Sequence, residues 1–347
     1  MRRTRKYWAL AAATAIVLSA CSNGPEQLPV VEIEATEPSE DTSTEPESST
    51  GANQPEGSDK ALQGISEALE TAYDERSVDN VTNRIGGPAR PTLRAIFANA
   101  ERFDVEDLEP IPTGDPDSLW GSAAGFPRIA MVFAENPDTG VNDQLLVLSQ
   151  SDGRENYKLW GYAKLLPADA EITFLPDTQS LSRKHSDGIE ASPIDTVEAF
   201  AQRLQGDDTD LSFAEDPLTV SVEERRDSIA ESLGDNGEAR LEARALNHGP
   251  VTLTTEDGGA VTVGAFEYDV IIERTAAGST ISVADKPGQW MTGEADSTYD
   301  VEGTLTSTYM VTVAFYIPPE GGDAIQVIAA SSPELIAVTD DDSTNPD

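Results

Sequence analysis

The sequence runs to 347 residues and carries 63 Asp and Glu against 23 Lys and Arg, a formal charge of −40 at neutral pH. Such a surface excludes nucleic acid as a partner, because phosphate recognition needs clustered Lys and Arg, and it stands off from anionic lipid head groups. The single cysteine, Cys21, excludes a disulfide framework and leaves no second thiol for nucleophilic or metal chemistry.

The chain opens Met1-Arg2-Arg3-Thr4-Arg5-Lys6 and continues in an apolar run from Tyr7 to Leu18. A basic start, a short apolar stretch and small residues before a cleavage point describe a secretory signal, and the run falls short of the roughly 20 residues a membrane span prefers. The run ends Leu18-Ser19-Ala20-Cys21. This ending resembles the lipobox of bacterial lipoproteins. The resemblance implies a diacylglycerol on the Cys21 thiol, cleavage between Ala20 and Cys21, and acylation of the new amino group. Two or three acyl chains hold a protein firmly, where one binds only reversibly. It also implies a partner, the membrane lipid engaged through Cys21, and a place on the extracytoplasmic face of the cell membrane. Loss of residues 1–20 takes the formal charge to near −44.

Residues 22–57 are rich in Ser, Thr, Pro, Gly and Glu and lack Lys and Arg altogether. A segment of this composition cannot bury enough apolar surface to offset its ordering entropy, so 21–57 reads as a lipidated Cys and a disordered acidic tether. As a coil it spans on the order of 35 Å.

From Ser58 the pattern changes. Ala61, Leu62, Ile65, Leu69, Ala72 and Tyr73 have helical spacing, a second short helical pattern runs through Val78, Val81 and Ile85, and Leu93, Ile96, Phe97 and Ala100 predict a third helix. After Pro110, Pro112 and Pro116 the reading turns to strands: 128–133, 144–149 and 157–166, separated by Gly-containing turns. In the last of these, alternation predicts Trp160 and Tyr162 on one face, with Tyr157, Leu159 and Ala163 on the other. Leu181 to Ser192 reads as a polar connector.

A second unit restarts at Ser192-Pro193-Ile194-Asp195, with a helix through Val197, Phe200, Ala201 and Leu204 and another over 221–233. Strands follow at 239–246, 251–255, 260–273, 305–317 and 324–330, and Glu256-Asp257-Gly258-Gly259 reads as a tight turn. Thr339 to Asp347 reads as a disordered acidic tail. About 280 residues follow the tether, which suits two domains of roughly 140 each.

Helices first, then strands, in both halves, predict an α+β fold: two tandem domains at 58–190 and 191–338, each with leading helices packed on a curved antiparallel sheet. This order of elements is similar to the cone of the ketosteroid-isomerase-like (cystatin-like) superfamily. The chain also resembles an uncharacterised group of actinobacterial lipoproteins, through the stretch from Gln150 to Trp160 and Leu165-Leu166-Pro167; that resemblance implies no activity.

Little catalytic chemistry is legible. His185 and His248 sit in polar, turn-like contexts, with no His-x-x-x-His spacing for zinc. There is no Gly-x-Ser-x-Gly elbow and no phosphate loop. Asp207-Asp208-Thr209-Asp210 opens like a calcium loop but lacks the central Gly and the distal Glu. No catalytic residue, metal ligand or cofactor is therefore assigned. Trp120, Trp160 and Tyr162 are the candidate ligand-facing aromatics, against the plainer reading that they fill the core. The expected function is a membrane-anchored ectodomain that binds an envelope protein, a wall component or a small ligand. The alternatives are a cone-type enzyme with a buried carboxylate as general base and a structural spacer.

Overall fold

The computed structural model describes residues 58–113, 117–120, 125–134, 143–168, 172–174 and 178–347. The lipobox, Cys21 and the tether lie outside the described residues. In chain order the helices are α1 (Ser58–Glu75), α2 (Ala89–Arg102), α3 (Pro193–Leu204), α4 (Pro217–Leu233) and α5 (Asp285–Thr292). The strands are β1 (Asp117–Trp120), β2 (Arg128–Ala134), β3 (Gln144–Gln150), β4 (Lys158–Leu165), β5 (Gly237–Ala245), β6 (Val251–Thr254), β7 (Ala260–Arg274), β8 (Ser282–Val283), β9 (Tyr299–Asp300), β10 (Thr304–Ile317), β11 (Gln326–Ala330) and β12 (Glu334–Asp341).

Helices and a large antiparallel sheet make up the fold. Ten strands drawn from both halves join in one sheet, ordered β1-β2-β3-β4-β11-β10-β7-β5, with β12 beside β10 and β6 beside β7, while β8 and β9 pair apart from it. The join is narrow: β4 and β11 meet at Leu165–Ala329 and Lys164–Ala330. By contrast β7 and β10 pair in unbroken register from Ala260–Ile317 to Glu273–Thr304.

The three larger apolar cores among the described residues follow from which face each strand residue occupies. Ile65, Leu69, Leu93 and Phe97 of α1 and α2 cover Val132, Leu146, Leu148 and Leu159. Phe200, Leu204 and Leu218 of α3 and α4 cover Phe266, Tyr268, Val311 and Phe315. Between them lies a core built from strands and loops, with Met131, Leu145, Val147 and Trp160 against Val261, Val263, Ala314 and Ile328. The strands are therefore buried on both faces, which is why β2 and β3 read as nearly continuous apolar runs. Gly264 in β7 lets α3 sit close to the sheet: a Cβ there would come within 2.7 Å of a Val197 methyl.

Local chemistry explains the helix starts. Ser192 caps α3, its hydroxyl accepting from the Asp195 amide and donating to the Asp195 carboxylate, with Pro193 in the first turn. Asp216 does the same for α4, accepting from the Thr219 amide at 2.8 Å ahead of Pro217. The helix thus begins four residues before the expected 221, and Asp216-Pro217 was the legible signal for it.

Other expectations are corrected. The pattern through Val78 and Val81 forms only a short 3₁₀ turn, Asp79–Val81, before Ile85 pairs with β4. The sequence around Trp290, between Pro287-Gly288 and Met291, reads as a loop, but Trp290 belongs to α5 and receives the Arg102 guanidinium on its ring at 3.5 Å. The stretch read as a disordered tail is structured. β12 runs to Asp341, pairing Thr339, Asp340 and Asp341 with Thr306, Leu305 and Thr304, and Asn345 and Asp347 accept hydrogen bonds from the buried Arg274 guanidinium. The Thr-rich end of β10 and one buried cation supply the partners that composition alone hid.

Candidate functional site

The β3–β4 register slips between Val147 and Leu148: Val147 faces Gly161, whereas Leu148 faces Leu159. Trp160 is the extra residue of a β-bulge, which breaks the two-residue period there. The expected sharing of a face is therefore overturned. Leu159 and Tyr162 point toward α1 and α2, whereas Trp160 and Ala163 enter the strand core on the other side.

Trp160 is a packing residue. Its indole is buried between two glycines in positive-φ conformations; a Cβ on Gly87 or on Gly249 would come within 2.6 Å of the ring. It thus pins the loop before α2 and the loop before β6 to the same side chain. Trp120 is placed by its backbone, in β1 opposite Ala130.

Tyr162 lines a cleft of about 190 Å³ bounded by α2, the 108–111 segment, β3, β4 and β12. Its apolar wall is Ile96, Leu108 and Ile111, and its polar groups include Tyr73, Gln144 and Glu334. Gln144 opens β3 on the same face as Leu146 and Leu148 and is buried, yet its Oε1 has no hydrogen-bond partner among the described residues. Buried polar groups are nearly always partnered, so an open carbonyl here is a departure from the rule.

Glu334, the first residue of β12, accepts a hydrogen bond at Oε1 from Nδ2 of Asn99 at 2.5 Å. That same Nδ2 also donates to the Leu335 carbonyl at 2.7 Å, while Asn99 Oδ1 is a second buried acceptor without a partner. Burial raises the Glu334 carboxyl above the ordinary carboxylate range, opposed by the Asn99 bond and by the positive charge of Lys286. Among the described residues no Lys or Arg nitrogen makes a contact ion pair with it, and Lys286 acts on it only through its charge.

The two tyrosines respond to the same surroundings. Burial, then the neighbouring Tyr73 and Glu334, push the Tyr162 phenol well up. Burial drives Tyr73 up to about 12, and its hydroxyl donates to the Glu109 carbonyl at 3.1 Å. At the rim, Lys164 Nζ is held by both carboxylate oxygens of Glu109, at 3.0 and 3.2 Å.

No known family model, curated protein or solved structure matches this chain. Its site is thus defined by geometry alone.

Of the three aromatics singled out in the sequence, Tyr162 lines the cleft and Trp160 does not. Gln144, Glu334 and Asn99 were missed. A signal existed for Gln144, because strand alternation puts it in line with Leu146 and Leu148 on the helix-facing side. None existed for Glu334 and Asn99, whose contact spans 235 positions. A larger groove of about 550 Å³ runs between the end of α1 and α2, but both of its arginines are engaged: Arg94 pairs with Asp79 at 2.8 Å, and Arg76 donates to the carbonyls of Val105 and Glu106. His185 and His248 lie in surface turns. Among the described residues no three His, Cys, Asp or Glu side chains converge to hold a metal ion.

Proposed function

We propose that this chain is a lipid-anchored lipoprotein of the extracytoplasmic face of the cell membrane, and that its ectodomain binds a small ligand in the cleft between Tyr162, Gln144 and Glu334. The anchor rests on Leu18-Ser19-Ala20-Cys21, on Cys21 being the sole cysteine, and on the acidic tether that follows. Among the described residues no helix is long and apolar enough to cross a membrane. The binding role rests on one observation: a concave site with an apolar wall holds a buried amide carbonyl that the protein itself leaves unpartnered. Of the three kinds of partner expected from the sequence, a small ligand fits this geometry best.

Two measurements test this. Labelled palmitate should enter the full chain in cells and fail to enter a Cys21→Ala variant; equal labelling of both discards the anchor. Full chain purified under mild conditions should release a small molecule on denaturation, and an Ile96→Trp variant that fills the cleft should not.

A second reading is favoured by the raised carboxyl of Glu334. A carboxylate in an apolar site beside a phenol is the arrangement of a general base, so Glu334 is the residue that would abstract a proton in a cone-type enzyme. Chemical change in the bound molecule, lost in Glu334→Gln, separates this reading from simple binding.

The domain plan belongs to the same proposal. Units at 58–190 and 191–338, each leading with helices and continuing in antiparallel strands, descend as two cones fused edge to edge through β4 and β11. Their separate helix-side cores support this. Superposition of the two halves as helices cradled in curved sheets is the test.

A further inference from the structure

The cleft has an uneven supply of hydrogen-bonding groups. Three of its donors are committed. Lys164 is taken by Glu109, Tyr73 donates to the Glu109 carbonyl, and Thr92 Oγ1 donates to the Pro88 carbonyl at 2.9 Å. Its acceptors are less engaged. Gln144 Oε1 has no partner, and Glu334 has only the neutral amide of Asn99 on one oxygen. A half-buried carboxylate that has no ion-pair partner in contact is costly, and a cation supplied from outside would repay that cost.

An anion entering here would meet Glu334, and the lysine that lines the cleft, Lys164, is already taken by Glu109. A neutral acceptor would leave the Gln144 carbonyl unpaired. An ammonium carries three donors and a positive charge, matches both acceptors, and can lie against the phenol rings of Tyr73 and Tyr162. The remaining wall of Ile96, Leu108 and Ile111 is apolar and suits a hydrocarbon or aromatic body. A cavity of about 150 Å³ is enough for a benzene-sized molecule, so the cleft's 190 Å³ sets the scale of the ligand.

We infer that the cleft takes a small organic cation: a protonated primary amine with a short apolar or aromatic body, its ammonium set between Glu334 and Gln144. The inference rests on the reading of this cleft as the binding site. The strongly acidic surface, at a formal −40, would raise the local concentration of such a cation near the mouth.

Calorimetric titration of the full chain in detergent with benzylammonium, benzyl alcohol and benzoate tests it, at an ionic strength high enough to screen the surface. Benzylammonium should bind, benzyl alcohol at least tenfold more weakly, and benzoate more weakly still. Glu334→Gln should weaken benzylammonium tenfold or more, because it keeps the acceptor for Asn99 and removes only the charge. Gln144→Leu, which preserves the approximate volume, should weaken it as well and serves if the first variant is poorly folded. Benzyl alcohol or benzoate binding as tightly as the amine overturns the cation and leaves a ligand cleft standing. Benzylammonium affinity unchanged in both variants places binding elsewhere and overturns the inference. Binding of none of the three overturns the inference and the cleft reading together.

Discussion

Asn99, in the last turns of α2, donates to Glu334 at the start of β12, joining a helix of the first half to a strand of the second across 235 positions of chain. The contact holds a carboxyl group in an apolar wall, and its energetic consequence is directional. Burial raises the folded-state pKa of Glu334 above that of the unfolded chain, so the folded state binds more protons than the unfolded one between those two values. Its contribution is fully present below the unfolded pKa and is lost as pH rises through the raised folded value. Glu334→Gln should flatten the fall in stability over that window, read from urea melts at stepped pH. An identical slope in the variant would contradict the assignment.

The opposite sign belongs to Asp257 in the β6–β7 turn. Burial pushes its carboxyl up, but hydrogen bonds from Thr255, Tyr316 and the Gly259 amide outweigh that and hold it below the usual range. Its contribution is present above the unfolded pKa and lost as pH falls through the lower folded value. Tyr316→Phe should remove one of these bonds and shift the acid-unfolding midpoint upward, measured by circular dichroism.

Trp160 between Gly87 and Gly249 makes a packing prediction. Trp160→Ala should cost about 3–5 kcal/mol, as large buried aromatics do. Gly249→Ala should cost about 1–3 kcal/mol, because its φ of 116° disfavours a side chain and its Cβ would collide with the indole. Combining the two should cost less than their sum, since the collision disappears with the indole. Strict additivity in urea titrations would argue against the clamp.

Asp216 caps α4 while buried and also faces Arg203 at 3.4 Å. Asp216→Ala should lose both the cap and the partner of a half-buried guanidinium, a destabilisation of about 1–3 kcal/mol. Asp216→Asn, which can still cap, should recover part of it.

Arg274 ties down the C-terminal residues through Asn345 and Asp347, and donates to the carbonyls of Ser279 and Glu302. Arg274→Met should release the last residues. Amide exchange at 343–347 should speed up in the variant, while β7 and β10 keep their protection.

These residues also show where the sequence was legible. Apolar periodicity located α1, α2 and α3 and most of the long strands, because those segments bury one face or two and little else competes. It failed at Trp160, since one extra residue in β4 inverts every later assignment in that strand. It failed at the end of β12, where Thr339, Asp340 and Asp341 look like a solvated tail yet pair with β10, and where Arg274 holds Asn345 and Asp347 beyond them. The joining of both halves into one sheet rests on two residue pairs between β4 and β11, too little to mark either strand's composition. Within the cleft only Tyr162 was singled out in advance, because an unpartnered carbonyl is a property of the fold around Gln144 and not of glutamine.

The most direct test of the binding cleft follows the Glu334 carboxyl itself. In full chain carrying ¹³C-labelled glutamate, the Glu334 resonance, assigned by its absence in Glu334→Gln, is followed as benzylammonium is added. The account predicts a saturable shift of that resonance together with the Tyr162 ring signals, and neither shift in the Ile96→Trp variant. A Glu334 resonance that stays still while the amine binds would contradict it.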